Sequence, residues 1–330
     1  MKYTSTKTAL FCRKEFLRIA AQSHEIHENE LQGYLAVNPF TKPIHRDYFE
    51  IDMNGEIYLM PRSSFQRKGH VFYPINYTIH SKIWRFGKKI DCLNLAVNRS
   101  TTDSRRKIAL IDVEKLADLR DLFIKYGAIP ILMDGTLLGW YRECSIIPHT
   151  KDVDIAIFEE DFPFILGETL PSLNLTWLYR DAILGRPNDN YILKLKIYGQ
   201  TSFIVDTYAM YLDEKENVSF TTAFDSADFA KLKTTYPRLD TLCAVDLLNH
   251  IFHAPCNTID YLLVEFGSNW TDDRPSNKYH WRNAPLNTKT YGYFNKSEKS
   301  EIMRIFNEYP RQRKYKRNKP VTEVKFKFPG

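Results

Sequence analysis

Residues 129–158 read IPILMDGTLLGWYRECSIIPHTKDVDIAIF, and the reading of this stretch decides the fold. An apolar run, Ile129 to Met133, leads into Gly135-Thr136 and a short helical pattern. A second apolar strand then opens with Asp152-Val153-Asp154. Residues two apart on a strand share a face, so Asp152 and Asp154 project together. Carboxylates side by side repel, and a divalent cation such as Mg²⁺ or Mn²⁺ removes the conflict because it takes oxygen ligands and bridges to phosphates. Gly135 lets a backbone N–H approach a phosphate, and the helix that follows points its positive end there.

A strand, a Gly-Thr turn, a helix and an Asp-x-Asp strand resemble the core of a nucleotidyltransferase-type site. The continuous block DGTLLGWYRECSIIPHTKDVDIAIF, residues 134–158, resembles the signature of the fukutin and LicD family of phospho-sugar and phosphocholine transferases, the eukaryotic fukutin branch more than the bacterial one. Pro255-Cys256-Asn257-Thr258, then Glu265-Phe266-Gly267-Ser268-Asn269-Trp270, Trp281 and Ala284-Pro285-Leu286-Asn287 are similar, in order, to the family's PC(N/E)T, YGxxW and W…SPxN landmarks. The likeness covers residues 110–295. It implies an α/β (α+β) fold: a nucleotidyltransferase-type mixed sheet flanked by helices, preceded by a smaller β-rich region. It also implies a metal-dependent transfer of a phospho-alditol, such as ribitol 5-phosphate, from a CDP-linked donor to a glycan or glycoprotein hydroxyl. CDP-choline is the bacterial counterpart of that donor.

On this reading Asp152, Asp154 and Asp206 hold Mg²⁺ or Mn²⁺. Asp206 lies inside the apolar alternation Phe203 to Tyr208, where an unpaired carboxylate is costly. It takes the place of the family's third acid and is a candidate general base; an ion pair with Lys194 or Lys196 is the structural alternative. Gly135 and Thr136 grip a phosphate at the helix start. Arg142 pairs with a phosphate, or else with Glu143 or Asp134. His149 and Lys151 flank the acids and either steer the donor or are simply solvated. Thr150 stands where bacterial members carry another acid; Asp134 compensates only by turning into the site, a strand-end cap being its expected role. Trp270, Tyr279 and Trp281 form either a stacking wall or a core plug.

Around this block the chain divides into an N-terminal β-rich accessory region (1–105), the catalytic domain (106–300) and a basic C-terminal tail (301–330). Residues 1–30 are patterned like a helix. Asn54-Gly55 between alternating runs predicts a hairpin, and strands are expected to continue from Tyr48 to Val97. Residues 98–107 read as a linker. Asp112 caps a helix ending at Gly127. Pro163 to Leu170 predicts a helix, 191–199 and 201–211 paired strands, and Thr241 to Phe252 another helix, with His250 and His253 as structural histidines. A helix ends near Tyr309-Pro310, and Val321 to Phe328 alternates like an edge strand.

The net charge of +6 is concentrated in the tail: from residue 311 onward eight Lys or Arg face Glu323 alone. The rest of the chain lacks the folded basic face of a nucleic-acid binder, which argues against a polymerase or tRNA-tailing enzyme. The tail reads as a solvated terminus, with weak membrane-surface contact as the alternative. Six Asn-x-Ser/Thr sequons, at Asn76, Asn98, Asn174, Asn217, Asn269 and Asn295, exceed the roughly two expected by chance. Together with the resemblance they point to the Golgi or ER. The first residues lack the apolar centre of a signal peptide, which leaves the cytoplasm as the alternative, or a start lost upstream. Five cysteines without a C-x-x-C exclude a zinc ribbon; Cys243 and Cys256 are expected to be buried free thiols, with pairing as the alternative. A non-catalytic glycan-binding or scaffolding relative is the competing functional class.

Overall fold

The computed structural model describes residues 8–11, 34–37, 46–53, 55–68, 71–275 and 278–306. In the N-terminal region β1 (Thr8–Phe11), β2 (Tyr34–Val37), β5 (Phe65–Lys68) and β6 (Val71–Pro74) form a small sheet in the order β2-β1-β6-β5. The predicted hairpin is present: β3 (Tyr48–Met53) pairs antiparallel with β4 (Glu56–Pro61) across Gly55, whose φ of 88° suits the turn. Within 1–30, where the pattern suggested a helix, the described segment Thr8–Phe11 is a strand.

The large sheet is mixed. It comprises β7 (Ile131–Leu132), β8 (Asp152–Phe158), β9 (Leu178–Arg186), β10 (Asp189–Tyr198), β11 (Ser202–Asp213), β12 (Val218–Phe224), β13 (Ala230–Pro237), β14 (Leu242–Leu247), β15 (His250–Pro255), β16 (Thr288–Tyr293) and β17 (Met303–Ile305). Its main path is β14-β15-β7-β8-β11-β10-β9-β17, with β12, β13 and β16 branching from β11. At the centre β8 runs parallel to β11, and β10 and β9 continue antiparallel. The helices Val113–Lys125, Asp134–Glu143 and Thr258–Phe266 pack against β15, β8 and β13.

The hairpin and the large sheet share one core. Phe49, Ile51 and Met60 from the hairpin and Ile79 and Ile83 from the next helix lie in the same buried cluster as Val153, Ile155, Val205 and Trp140. Each fully buried aliphatic side chain contributes about 1.5–3 kcal/mol by leaving water. Polar ties reinforce the contact: Tyr48 donates to Asp246 at 2.6 Å, and Arg120 donates to Asp47 at 2.8 Å.

Several elements differ from the expectation. Residues 77–85 form a helix rather than a strand, because Asn76 caps it, accepting the N–H groups of Thr78 and Ile79. Residues 241–252 are strands: β14 and β15 form a hairpin whose turn residues, Leu248 and Asn249, have φ of 56° and 72°. Both faces of that hairpin are largely buried, and a wholly apolar run carries no period to separate strand from helix. The helix expected at 163–170 is one turn, Leu166–Thr169. Asp112 starts the helix Val113–Lys125 without capping it; its carboxylate accepts the N–H groups of Gln200 and Thr201, filling the space a Cβ would need at Gly199 in the β10–β11 turn. Met303–Ile305, placed in the tail, extends the large sheet beside β9. The helix end near 309–310 and the strand at 321–328 lie outside the described residues.

Cys243 is bonded to Cys256, and Cys92 to Cys144. The expectation of two free thiols is therefore corrected. Hairpin pairing brings Cys243 opposite Ala254, within reach of Cys256, a proximity invisible while 241–252 reads as a helix. Among the described residues no helix is long and apolar enough to cross a membrane.

Candidate active site

Register builds the site. On β8 and β11 Asp154 lies directly beside Asp206, and Asp152 beside Ile204; on β10 Lys194 lies beside Asp206. Asp152, Asp154 and Asp206 therefore share one face of the sheet, as alternation predicts. Lys194 donates to Asp206 Oδ2 at 2.6 Å, the ion pair foreseen as the structural alternative. Asp206 is only 7% exposed, and its Oδ1 is buried without a hydrogen-bond partner among the described residues. Burial raises its pKa against the pull of Lys194.

The helix Asp134–Glu143 brings a further acid. Asp134 adopts a left-handed φ of 48°, uncommon for any residue but glycine. Its Oδ1 accepts a hydrogen bond from Tyr236 on β13, and its carboxyl is also hydrogen-bonded to Glu265. Tyr236 is fixed by stacking on Tyr261, with ring centroids 5.1 Å apart. Asp134 thus turns into the site instead of merely capping the strand end. Burial, with the neighbouring charges of Asp152, Asp134 and Asp206, pushes Asp154 well above the usual carboxylate range. Burial and the charges of Asp134 and Asp154 do the same to Glu265, which is 2% exposed on the helix Thr258–Phe266. Tyr208, Tyr236 and Tyr279 are all held protonated by burial next to these acids.

The other expected site residues divide. Gly135 has nothing within 4 Å of where a Cβ would stand, so the space before the helix start is open. Of the first N–H groups of that helix, those of Thr136 and Leu137 are given to the Met133 carbonyl at 3.0 and 2.9 Å, and a helix start leaves the N–H groups before them, at Asp134 and Gly135, to suit an anion. Thr136 is buried and its Oγ1 accepts the N–H of Asp154 at 2.9 Å, locking helix to strand. Lys151 is exposed beside Asp152. Arg142 is 1% exposed and spends its donors on Glu143 and on the carbonyls of Trp270 and Asp272. Of the two partnerships foreseen for it, the structure shows the one with Glu143. His149 is drawn to Asp273, Nε2 to Oδ1 3.3 Å, in a network with Arg99. Trp270 is buried against Tyr141, as a core plug; Trp281 is largely exposed. Tyr279, packed against Phe266, is the aromatic whose hydroxyl feels the acids.

Glu265 and Tyr236 were not among the expected site residues. Glu265 was legible only as part of the Glu-Phe-Gly landmark, and Tyr236 carried no sequence signal. As placed, no three acidic, imidazole or thiol side chains among the described residues are gathered closely enough to hold one ion. The donor set nevertheless fits a hard cation: the side chains are oxygen donors, Asp206 Oδ1 is unsatisfied, and Lys194, bonded to Asp206, offsets only part of the like charge around Asp154.

Residues 130–257 match the family model described as LicD/FKTN/FKRP, nucleotidyltransferase domain. The chain is 35% identical over 265 residues to the Caenorhabditis elegans uncharacterized protein T07A5.1, covering 79% of this chain and 69% of that protein. It is 34% identical to another, W02B3.4, covering 71% of this chain and 60% of that protein. To the mouse ribitol-5-phosphate transferase FKTN it is 30% identical over 190 residues, 57% of this chain and 38% of that protein. The matched block, the relatives and the acids gathered on β8, β11 and the Asp134 helix agree: the chain belongs to the LicD/FKTN/FKRP family.

Proposed function

We propose that this chain is a metal-dependent transferase. It moves a phospho-alditol such as ribitol 5-phosphate, or a related phospho-group, from a CDP-linked donor to a glycan hydroxyl. The observation that carries this is the register that sets Asp154 beside Asp206, with Asp152 on the same face, in front of an open helix start at Gly135. The activity named for the mouse and human relatives, ribitol-5-phosphate transferase, supports the choice of group.

Asp152, Asp154 and Asp206 would hold Mg²⁺ or Mn²⁺, which when bound neutralises charge on the donor diphosphate and stabilises the leaving nucleotide. The first-turn N–H groups at Gly135 would seat a donor phosphate. Thr136 keeps Asp154 in place through its bond to the Asp154 N–H. The acceptor hydroxyl attacks the phosphorus bearing the alditol, the P–O bond to CMP breaks, and the carboxylate of Asp206 would take the hydroxyl proton. Tyr236 and Glu265 fix Asp134 beside these groups. Lys151, exposed beside Asp152, would attract the donor's charge, while His149 is held against Asp273.

We place the reaction in the Golgi or ER lumen, a setting supported by the two disulfides, which persist where the medium is oxidising.

Isothermal titration with CDP, CMP, UDP and GDP, each with and without Mn²⁺, tests the reading in wild type and Asp154→Ala. Mn²⁺-dependent, cytidine-selective binding that the variant loses is expected. No nucleotide binding under any condition would overturn catalysis. Glycan binding that survives Asp152→Ala would then make the chain a glycan-binding relative.

A further inference from the structure

The six sequons are distributed around the molecule, and the side chains that define them share one property. Asn76, Asn98, Asn174, Asn217, Asn269 and Asn295 are all exposed, as an attached sugar requires. Their backbone settings agree. Asn174 and Asn217 occupy left-handed turn positions with φ of 50° and 56°. Asn98 and Asn269 lie in turns and loops. Asn76 and Asn295 start helical segments, where Oδ1 accepts the backbone N–H groups and Nδ2, the atom that carries the sugar, is left over.

We propose that this chain carries N-linked glycans at these exposed sequons, and that the glycan at Asn295 shields an open sheet edge. The inference rests on the lumenal location proposed above. In the modification Nδ2 attacks the anomeric carbon of an oligosaccharide borne on a lipid diphosphate. The bond from that carbon to the phosphate oxygen breaks, an N-glycosidic bond forms, and the lipid diphosphate leaves as the amide gives up one proton. Both co-reactant and enzyme belong to the secretory pathway, whose oxidising medium also supports the bonds Cys92–Cys144 and Cys243–Cys256.

Asn295 has a particular place. It follows β16, which pairs with β13 on one side and, among the described residues, with no strand on the other. β16 presents Tyr291 and Tyr293, 50% and 65% exposed. An exposed aromatic edge is a template for pairing with another chain, and natural sheets cover such edges. A glycan rooted two residues beyond the strand end would lie over this one.

The full chain, expressed behind a cleavable secretion signal in cultured animal cells, tests both parts. Treatment with peptide N-glycosidase is expected to lower its mass stepwise and to leave Asp in place of Asn at the sequons by peptide mapping. An unchanged mass in a secreted, disulfide-bonded chain overturns the glycan assignment. Asn295→Gln is expected to remove one step and to shift the protein to larger species in size-exclusion chromatography. A monomer identical to wild type overturns the shielding role. Because the signal is supplied, neither outcome depends on nucleotide binding, so this inference and the transferase reading fail separately.

Discussion

The two ends of the helix Asp134–Glu143 treat charge in opposite ways. At its C-terminal end Arg142, Glu143, Arg99 and Asp273 form a buried network in which each charge meets an opposite one, Arg99 to Glu143 at 2.5 Å and to Asp273 at 2.9 Å, with the His149 ring against Asp273. At its N-terminal end Asp134, Asp154, Asp152, Asp206 and Glu265 face one another, with Lys194 as the cation bonded to the group. Burial costs both clusters solvation. The first recovers it through internal pairing and so serves stability. The second keeps more negative charge than Lys194 balances, as the cation and phosphate site proposed above requires. Unbalanced charge in a well-packed region marks function; balanced charge marks scaffold.

Breaking the scaffold end should have the largest effect. Arg142→Met leaves Glu143 to Arg99 alone and strands the carbonyls of Trp270 and Asp272, and is expected to cost about 3–5 kcal/mol in denaturant unfolding, as for a broken buried ion pair. The acid end should respond in the opposite sense. Asp154→Asn removes a repelling charge, so the melting temperature should hold or rise while transfer from a CDP-linked donor falls by roughly 100-fold or more. Mn²⁺ should raise the melting temperature of wild type and not of this variant. A coupled loss of stability and activity at Asp154 would erase the distinction between the two ends.

Tyr236→Phe sharpens it further. Loss of the bond to Asp134 should cost about 1–2 kcal/mol and lower kcat more than it raises KM, since Asp134 remains but is no longer held. The smallest expected effect concerns pH. His80 and His253 are buried with both ring nitrogens unpartnered, and burial lowers their pKa from 6.5 to about 4 and about 3. The unfolded chain takes up protons that the folded chain refuses, so their contribution is complete above pH 6.5 and is lost as pH falls towards 4. Asp154 and Glu265, with raised pKa values, act with the opposite sign: their contribution is present below the unfolded values of 3.8 and 4.5 and is lost as pH rises. His80→Phe, which keeps a ring against Phe65, should therefore lose less melting temperature between pH 7 and pH 5 than wild type.

The sequence by itself determined the block that carries the chemistry. Alternation is a local property of a strand, so Asp152 and Asp154 had to share a face, and Asp206 inside an apolar alternation had to be either paired or used. The Asn54-Gly55 hairpin and the helix Val113–Lys125 were legible for the same reason, since turn chemistry and period are written in consecutive residues. The helix at 77–85 was legible too, had Asn76 been read as a cap. Only tertiary structure decided the rest. Whether 241–252 is helix or hairpin depends on burial of both its faces, and the pairing of Cys243 with Cys256 follows from that hairpin. Asp134 joins the acids through a left-handed backbone and a hydroxyl from Tyr236, 102 residues away. Glu265 arrives on the helix Thr258–Phe266, which packs against the helix Asp134–Glu143. Arg142 looked like a phosphate ligand in sequence, yet packing turned it into the scaffold. Register and packing between distant segments set these outcomes, and no window of consecutive residues contains them.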